Sequence, residues 1–372
     1  MKASRLSTAV VGAVAVVLLV PTTAMAAVST VPDNTDAVQG KVWGMTQSGD
    51  RTFLGGVFTA VGGVARSNAA AIRADGNVDR IFNPGVNGKV MALAASEDGS
   101  TIFLGGTFTQ AGGKQRANLA AVDAVTGEAL VDWTADTSGT YPDVSSLAVH
   151  GQRLYVGGKF TGIDGTSQKR LVALNIATGD VITTFKPAPN SIVREVVVSP
   201  DGATVYAGGV FSMLGGQPRQ AAGSVSAATG TATSFAPSGN GGSVITVGLS
   251  PDGERFFYGT ENNTLYAYDP SASNNPVWLV KTSGNTQAIA VSDDEMWIGG
   301  HFSQILSASL PRKFIASLDP VDGSVNAWDP KCSGGTYGVW ALVLEGTHLH
   351  VGGMFTYFDS VKQRGYARFS QV

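Results

Sequence analysis

One phrase limits what this chain can fold into more than any other feature. Phe53–Gly63 reads FLGGVFTAVGG and Phe103–Gly113 reads FLGGTFTQAGG. The phrase returns at Tyr155 (YVGGKFTGIDG) and Tyr206 (YAGGVFSMLGG), and in weaker form at Trp297 (WIGGHFSQIL) and His350 (HVGGMFTYFD). With Phe257 as the matching position of a divergent unit, the intervals are 50, 52, 51, 51, 40 and 53 residues. Self-similarity at such a period means repeated supersecondary units, so it governs the reading of every local pattern.

Each unit reads as four short strands. In the second they are VMALAA (90–95), TIFLGGTFT (101–109), NLAAVDA (118–124) and ALVDWTA (129–135). The turns between strands carry Asp-Gly and Thr-Gly pairs, which suit tight hairpins because glycine accepts positive φ. SPDGAT (199–204), SPDGER (250–255), IATGDV (176–181) and PVDGSV (320–325) repeat them. These are not calcium loops, since the alternating acidic ligands and distal Glu are missing. Seven four-stranded units predict an all-β fold, a seven-bladed β-propeller in one domain over residues 27–372. The last unit stops after three strands, at YARFSQV, and VSTVPDNTDAVQGKVWGM (28–45) lines up with VNAWDPKCSGGTYGVWAL (325–342). The N-terminal strand is therefore expected to complete the last blade and close the ring, which removes the sheet edges an open solenoid would have to cap. Unit five departs from the pattern: FFYGTENNTLYAYDP (256–270) replaces the long glycine loop with a Glu-Asn-Asn turn.

The repeated phrase reads as scaffold. Its first Gly-Gly pair lies inside a strand, where glycine marks a bulge or a close backbone approach. Phe58, Phe108, Phe160, Phe211, Phe302 and Phe355 follow at one equivalent position and read as packing wedges. The second Gly-Gly pair suits a turn of unusual φ. Arg66, Arg116, Arg219 and Arg312 recur just beyond it, either capping loop carbonyls or forming a basic ring at a mouth. No helix and no Gly-Lys-Ser/Thr follows, so the glycines do not cradle a phosphate.

The 372 residues begin with a basic MKASR, an apolar LSTAVVGAVAVVLLV and Ala24-Met25-Ala26. This pattern reads as a signal peptide over residues 1–26, cleaved after Ala26. Pro21 interrupts the run before it reaches the length of a membrane span. The expected mature protein is secreted, extracellular or cell-wall associated, and has no membrane segment. Its formal charge moves from −3 to −5 with the loss of Lys2 and Arg5, and without a basic excess no nucleic-acid partner is expected. Cys332 is the only cysteine, so no internal disulfide forms; a lone cysteine of this kind most often packs as a small apolar residue. No cofactor and no metal are expected: the four histidines have no ligand spacing, and His348 and His350 merely alternate along a strand. The chain is expected to be a monomer.

The combination GG-x-F-T-x-x-GG-x-x-R, an apolar strand and Asp-x-x-Thr-Gly resembles the delta-type propeller repeats of exported actinobacterial proteins. It is also similar to repeats in the extracellular part of fungal cortical marker proteins. The resemblance spans almost the whole mature chain and weakens in unit five. It implies fold and export, and brings no catalytic residues with it.

Where equivalent positions differ between units, the scaffold does not dictate the residue. The first strands are expected to line a central channel. Their first column reads Val42, Val90, Val144, Val193, Val244, Thr286, Val339, which is scaffold. The next column reads Trp43, Met91, Ser145, Arg194, Ile245, Gln287, Trp340 and is free to vary. The third is small except for Glu195 and Thr246. Loops SGGTYGV (333–339) and SGTYPDV (138–144) place Tyr337 and Tyr141 at matching positions on one face. Lys159, His301 and Met354 vary between Gly-Gly and Phe on that same face. Trp43, Trp340, Tyr141, Tyr337, Arg194, Gln287, Lys159 and His301 are thus the candidate ligand-binding residues. Aromatic rings that stack and polar groups that orient suit a sugar or a peptide; the competing reading puts both tryptophans in the core between blades.

Three function classes follow. The first is a non-catalytic binding module for a glycan, cell-wall polysaccharide or protein partner. The second is a propeller-type polysaccharide lyase or glycoside hydrolase. Hydrolysis needs two carboxylates across a cleft, for which Glu195 and Asp143 are available without an evident pairing; a lyase would draw on His301, Tyr337 and Arg194. The third is a rigid disc that contacts partners through Trp133 and Trp328, if these outer-strand residues are exposed.

Overall fold

The computed structural model describes residues 27–239 and 242–371. The signal-peptide reading falls on residues 1–26, outside the described residues. The described chain is all-β and antiparallel, with one 3-10 turn at Leu306–Ala308. Among the described residues no helix is long and apolar enough to cross a membrane.

Among the described residues seven principal sheets follow one another along the chain, numbered here 1 to 7. Their first strands are Val38–Ser48, Lys89–Ala95, Asp143–His150, Val193–Val198, Val244–Leu249, Thr286–Val291 and Gly338–Glu345. Sheet 2 adds Thr101–Thr107 and Leu119–Asp123, matching the first three strands expected of its unit. The fourth element is shorter than expected. It is a single bridge in most sheets (Val78 to Ile72, Ala129 to Val122, Val181 to Leu174, Ala232 to Val225, Val325 to Leu318), and a full strand only in sheet 5, at Trp278–Lys281. After that bridge the chain leaves the sheet edge and tucks Phe82, Trp133, Phe185 or Phe235 into the interior, where all are at most 3% exposed. Burial of a large ring outweighs the few ladder hydrogen bonds that a longer strand would add.

The N-terminal segment takes the fourth place in sheet 7. Ser29 N–H donates to Ser370 O at 2.9 Å and Asp33 N–H to Arg368 O at 2.8 Å, while Asp33 Oδ2 holds Arg368 Nε at 2.5 Å. First strands touch in succession from sheet 1 to sheet 7, and that of sheet 7 touches that of sheet 1. Among the described residues the buried apolar side chains fall into seven clusters, each drawn from two consecutive sheets. One of them joins Ala341 and Tyr366 of sheet 7 to Val42, Met45 and Leu54 of sheet 1. The six wedge phenylalanines are all at most 3% exposed, as the repeat implied.

The glycine phrase has three separate causes. The first glycine of each in-strand pair faces the next sheet: a Cβ on Gly105 would stand 2.5 Å from Val144 Cγ1, and one on Gly352 would stand 2.7 Å from Val42 Cγ1. The second faces its own first strand, where a Cβ on Gly106 would collide with the Lys89 carbonyl oxygen. Only the later pair is conformational, with φ of 59° at Gly112 and 76° at Gly113 in the turn of a small hairpin.

The recurring arginines resolve in favour of carbonyl capping. Arg116 donates to the carbonyls of Gln115 (2.9 Å) and Leu130 (2.8 Å); Arg66, Arg219 and Arg312 repeat this on their own loops. They bind each glycine loop to the fourth element and form no basic ring. Trp133 and Trp328 are buried, and each indole N–H donates to a carbonyl of the neighbouring sheet's chain, Ile176 O at 3.0 Å and Ser29 O at 2.9 Å. The rim contacts that the disc reading needed are therefore absent at these two residues. Cys332 is 2% exposed beside Phe355 and Phe358, and burial pushes its thiol far up.

Candidate functional site

In each of the seven principal sheets the first strand slips register against the second at one equivalent place, and sheet 1 has a further slip between Val38 and Gly40. The breaks lie between Val42 and Gly44, Val90 and Ala92, Val144 and Ser146, Val193 and Glu195, Val244 and Thr246, Thr286 and Ala288, and Val339 and Ala341. The skipped residues are Trp43, Met91, Ser145, Arg194, Ile245, Gln287 and Trp340, the variable column of the repeat. A β-bulge leaves one residue out of the ladder and re-aims its side chain. All seven line one cavity of about 840 Å³, together with Asp143, Ser146 and Glu195.

The tryptophans are half-buried on this cavity wall, not sealed in the core. Their ring centroids are 4.0 Å apart at 58°. Tyr337 packs edge-on to Trp340 at 6.3 Å. Lys89 Nζ stands 4.5 Å over Trp43, and Lys41 Nζ 4.8 Å over Tyr337. The result is a continuous run from Lys89 through Trp43, Trp340 and Tyr337 to Lys41. Each cation–π contact contributes about 0.5–1 kcal/mol where exposed, which favours this orientation of the rings. The Trp43 indole N–H and Gln287 Oε1 are buried, with no hydrogen-bond partner among the described residues.

The opposite part of the wall is ionic. Arg194 Nη2 bonds Glu261 Oε1 at 2.7 Å, which holds the Glu261 carboxyl below its usual range. Glu261 comes from the shortened turn of sheet 5, so the departure in unit five supplies a partner to the cavity wall. Glu195 Oε2 accepts the Val247 N–H at 2.7 Å, the place Ser146 Oγ takes for Val196 N–H one sheet earlier. Burial raises the Glu195 carboxyl to about 7, against the opposing pull of that N–H. Asp143 Oδ1 accepts the Ser145 hydroxyl at 2.6 Å and the Lys159 N–H at 3.2 Å.

Of the expected residues, Trp43, Trp340, Arg194 and Gln287 line the cavity, and Tyr337 joins them through Trp340. Tyr141 is 85% exposed and pairs with Lys159, whose Nζ lies 5.9 Å over its ring. His301 stands exposed on its loop beside Gly284. These three do not line the cavity. Lys41, Lys89 and Glu261 are not among the residues the sequence singles out. The column one place before the scaffold valine, which begins Lys41, Lys89, Asp143, varies as freely as the bulge column and would have pointed to the two lysines.

Glu195 carries a testable sign. The folded state keeps its proton from the ordinary carboxylate range up to about 7. Stability from this group is therefore present at low pH and lost as pH rises through that window. Glu195→Gln is expected to match the wild type near pH 5 and to exceed it by about 2–3 kcal/mol near pH 8, because a tenfold change in proton affinity is about 1.4 kcal/mol. Urea-unfolding midpoints at the two pH values measure this; equal gains at both would remove the carboxyl from the explanation.

No family model matches the chain, and no curated protein matches it.

Proposed function

We propose that the seven sheets are the blades of a closed β-propeller, exported after cleavage behind Ala26, whose central cavity binds a glycan without turning it over. The contact of sheet 7 with sheet 1 and the N-terminal segment in the fourth place of sheet 7 support the closed ring. The resemblance to exported repeat proteins and the A-x-A pattern support the address. The observation that carries the ligand class is the bulge column: seven residues that the scaffold leaves free converge on one cavity and include a tilted tryptophan pair. Aromatic rings stack on the apolar faces of sugar rings, while Arg194, Gln287 and Lys89 orient hydroxyl or acidic groups.

The chain released at Ala27 is to be screened against bacterial and plant polysaccharides, with retention and soluble products followed by mass spectrometry. Retention without products is expected, and Trp340→Ala should weaken it about 30- to 100-fold, as for a central aromatic anchor, with the folded spectrum unchanged. Unaltered binding in Trp340→Ala would remove the cavity from the explanation.

A second reading, a glycoside hydrolase, is favoured by one observation. Glu195 and Asp143 border the same cavity, and Glu195 holds its proton near neutrality as a general acid would. Shortened sugars in the same screen, abolished by Glu195→Gln, would establish it. Retention of a protein alone would shift the ligand class to a protein partner.

A further inference from the structure

A second, smaller pocket of about 240 Å³ lies away from the central cavity. Ala27, Asp294, Glu295, Trp297, Asn326 and Gln371 line it, with Ser292. We propose that this pocket is a binding site for the chain's own α-ammonium group, created when cleavage after Ala26 makes Ala27 the first residue. The inference rests on that cleavage and is independent of what the central cavity binds.

The residues around the pocket lack what an N-terminal residue brings. Asp294 and Glu295 form no ion pair among the described residues. Glu295 is the more enclosed of the two: the Ser317 hydroxyl donates to its Oε1, and Asn326 Nδ2 donates on to Ser317 Oγ at 2.9 Å. Burial lifts its carboxyl above the usual range, the signature of an anion short of a counter-cation. Trp297 is 1% exposed, and its indole N–H has no partner among the described residues. Two carboxylates without a cation match a group that brings one, and Ala27, on the wall of this pocket, brings its ammonium once it is the first residue.

The position is held from both sides. Val28 bridges Gln371, Ser29 N–H bonds Ser370 O, and the Ser29 carbonyl accepts the Trp328 indole at 2.9 Å. Ala27 is thus anchored one residue before the strand that fills the fourth place of sheet 7. Residues 1–26 place a neutral peptide bond where the mature chain has a cation, so cleavage itself adds an ion pair between the N-terminal segment, in the fourth place of sheet 7, and the turn at Asp294 and Glu295 of sheet 6.

The test uses the chain released at Ala27 from a cleavable fusion, and the same chain carrying a Gly-Ser-Gly extension. The probe is 2-pyridinecarboxaldehyde, which labels neutral α-amines, with uptake read by mass spectrometry. Two neighbouring carboxylates hold the proton on an ammonium about tenfold more tightly, so labelling of the wild type is expected to be about tenfold slower than in the Asp294→Asn, Glu295→Gln double variant. The extension should lower the thermal midpoint, and the double substitution should change that midpoint no further in the extended chain. Equal labelling rates, or strictly additive effects of extension and substitution, would overturn the site. Mass spectrometry of the exported protein decides the premise separately: any first residue other than Ala27 also overturns it. The extension keeps every side chain in place, so the proposal remains exposed to failure even if the double variant does not fold.

Discussion

Acidification from about pH 7 to about pH 4 is expected to loosen the joint between sheet 7 and sheet 1 before the rest of the protein. His350, in the second strand of sheet 7, is 2% exposed. Its Nδ1 lies 3.0 Å from Thr52 Oγ1 of sheet 1 and 2.9 Å from the Tyr366 hydroxyl, and its Nε2 lies 3.0 Å from the Gln47 amide of sheet 1. All three partners are neutral. Burial first, then the charges of Arg368 and His348, depress the ring to about 3; Asp33 opposes them weakly, and the Glu345 carboxylate at 3.9 Å is half-exposed. The sign follows from proton counts. The unfolded chain takes up a proton near pH 6.5 and the folded chain only near pH 3, so stability is complete above the first value and lost below it. The loss amounts to about 3 kcal/mol near pH 4. Glu195 acts in the opposite direction over an overlapping window, so the effect is cleanest in a Glu195→Gln background. Hydrogen exchange followed by mass spectrometry should show amides of Gln47, Thr52 and Tyr366 losing protection first as the pH falls. His350→Gln should cost about 1–2 kcal/mol at neutral pH and remove the early loss of protection at this joint, leaving the general acid sensitivity that the hydrogen-bonded carboxylates confer. Uniform loss of protection across all sheets would refute the role of this joint.

Much of this is legible because repeats act as an alignment within one chain. The all-β class, the hairpin turns, the phenylalanine wedges and the short turn of unit five can be read from intervals and turn residues alone. The variable column also stands out, yet nothing in a linear pattern says that Trp43 or Gln287 sits on a bulge. A bulge is a mismatch between two strands and exists only once they pair. Trp133 and Trp328 mislead for a related reason. In an outer strand, strict alternation would expose them, but the strand ends after one bridge and the ring turns inward. Glu261 and Arg194 lie 67 residues apart, and only the packing of neighbouring sheets brings them together. The two readings of the arginine column are equally compatible with the sequence, because burial against specific carbonyls has no signature in residue spacing.

The glycine phrase yields the second large effect. Gly106→Ala is expected to cost more than Gly113→Ala, although Gly113 is the residue with positive φ. A methyl group at Gly113 meets nothing within 4 Å and bears only the left-handed backbone, worth about 1–2 kcal/mol. At Gly106 the same methyl would collide with the Lys89 carbonyl and stand 3.0 Å from Val90 Cα. These are backbone atoms of the bulged strand, which cannot rotate aside. Overpacking of this kind costs about 3 kcal/mol or more, and the strain falls on Met91, the bulge residue between Val90 and Ala92. Chemical denaturation of both variants measures the order. If Gly113→Ala proved the more damaging, close approach would not be what places glycine inside the strand.

The bulges divide the labour of each first strand. Its paired residues hold the sheet, while the skipped residue owes nothing to the ladder and faces the cavity. Seven such residues make a seven-letter address written on a frame that does not depend on the letters. Rewriting Met91, Ser145, Ile245 and Gln287 should therefore change the chemistry of the cavity wall at little cost to folding. A combinatorial library at these positions would share one backbone and test the binding proposed for the cavity, with Arg194 and the tryptophan pair as the letters to vary last.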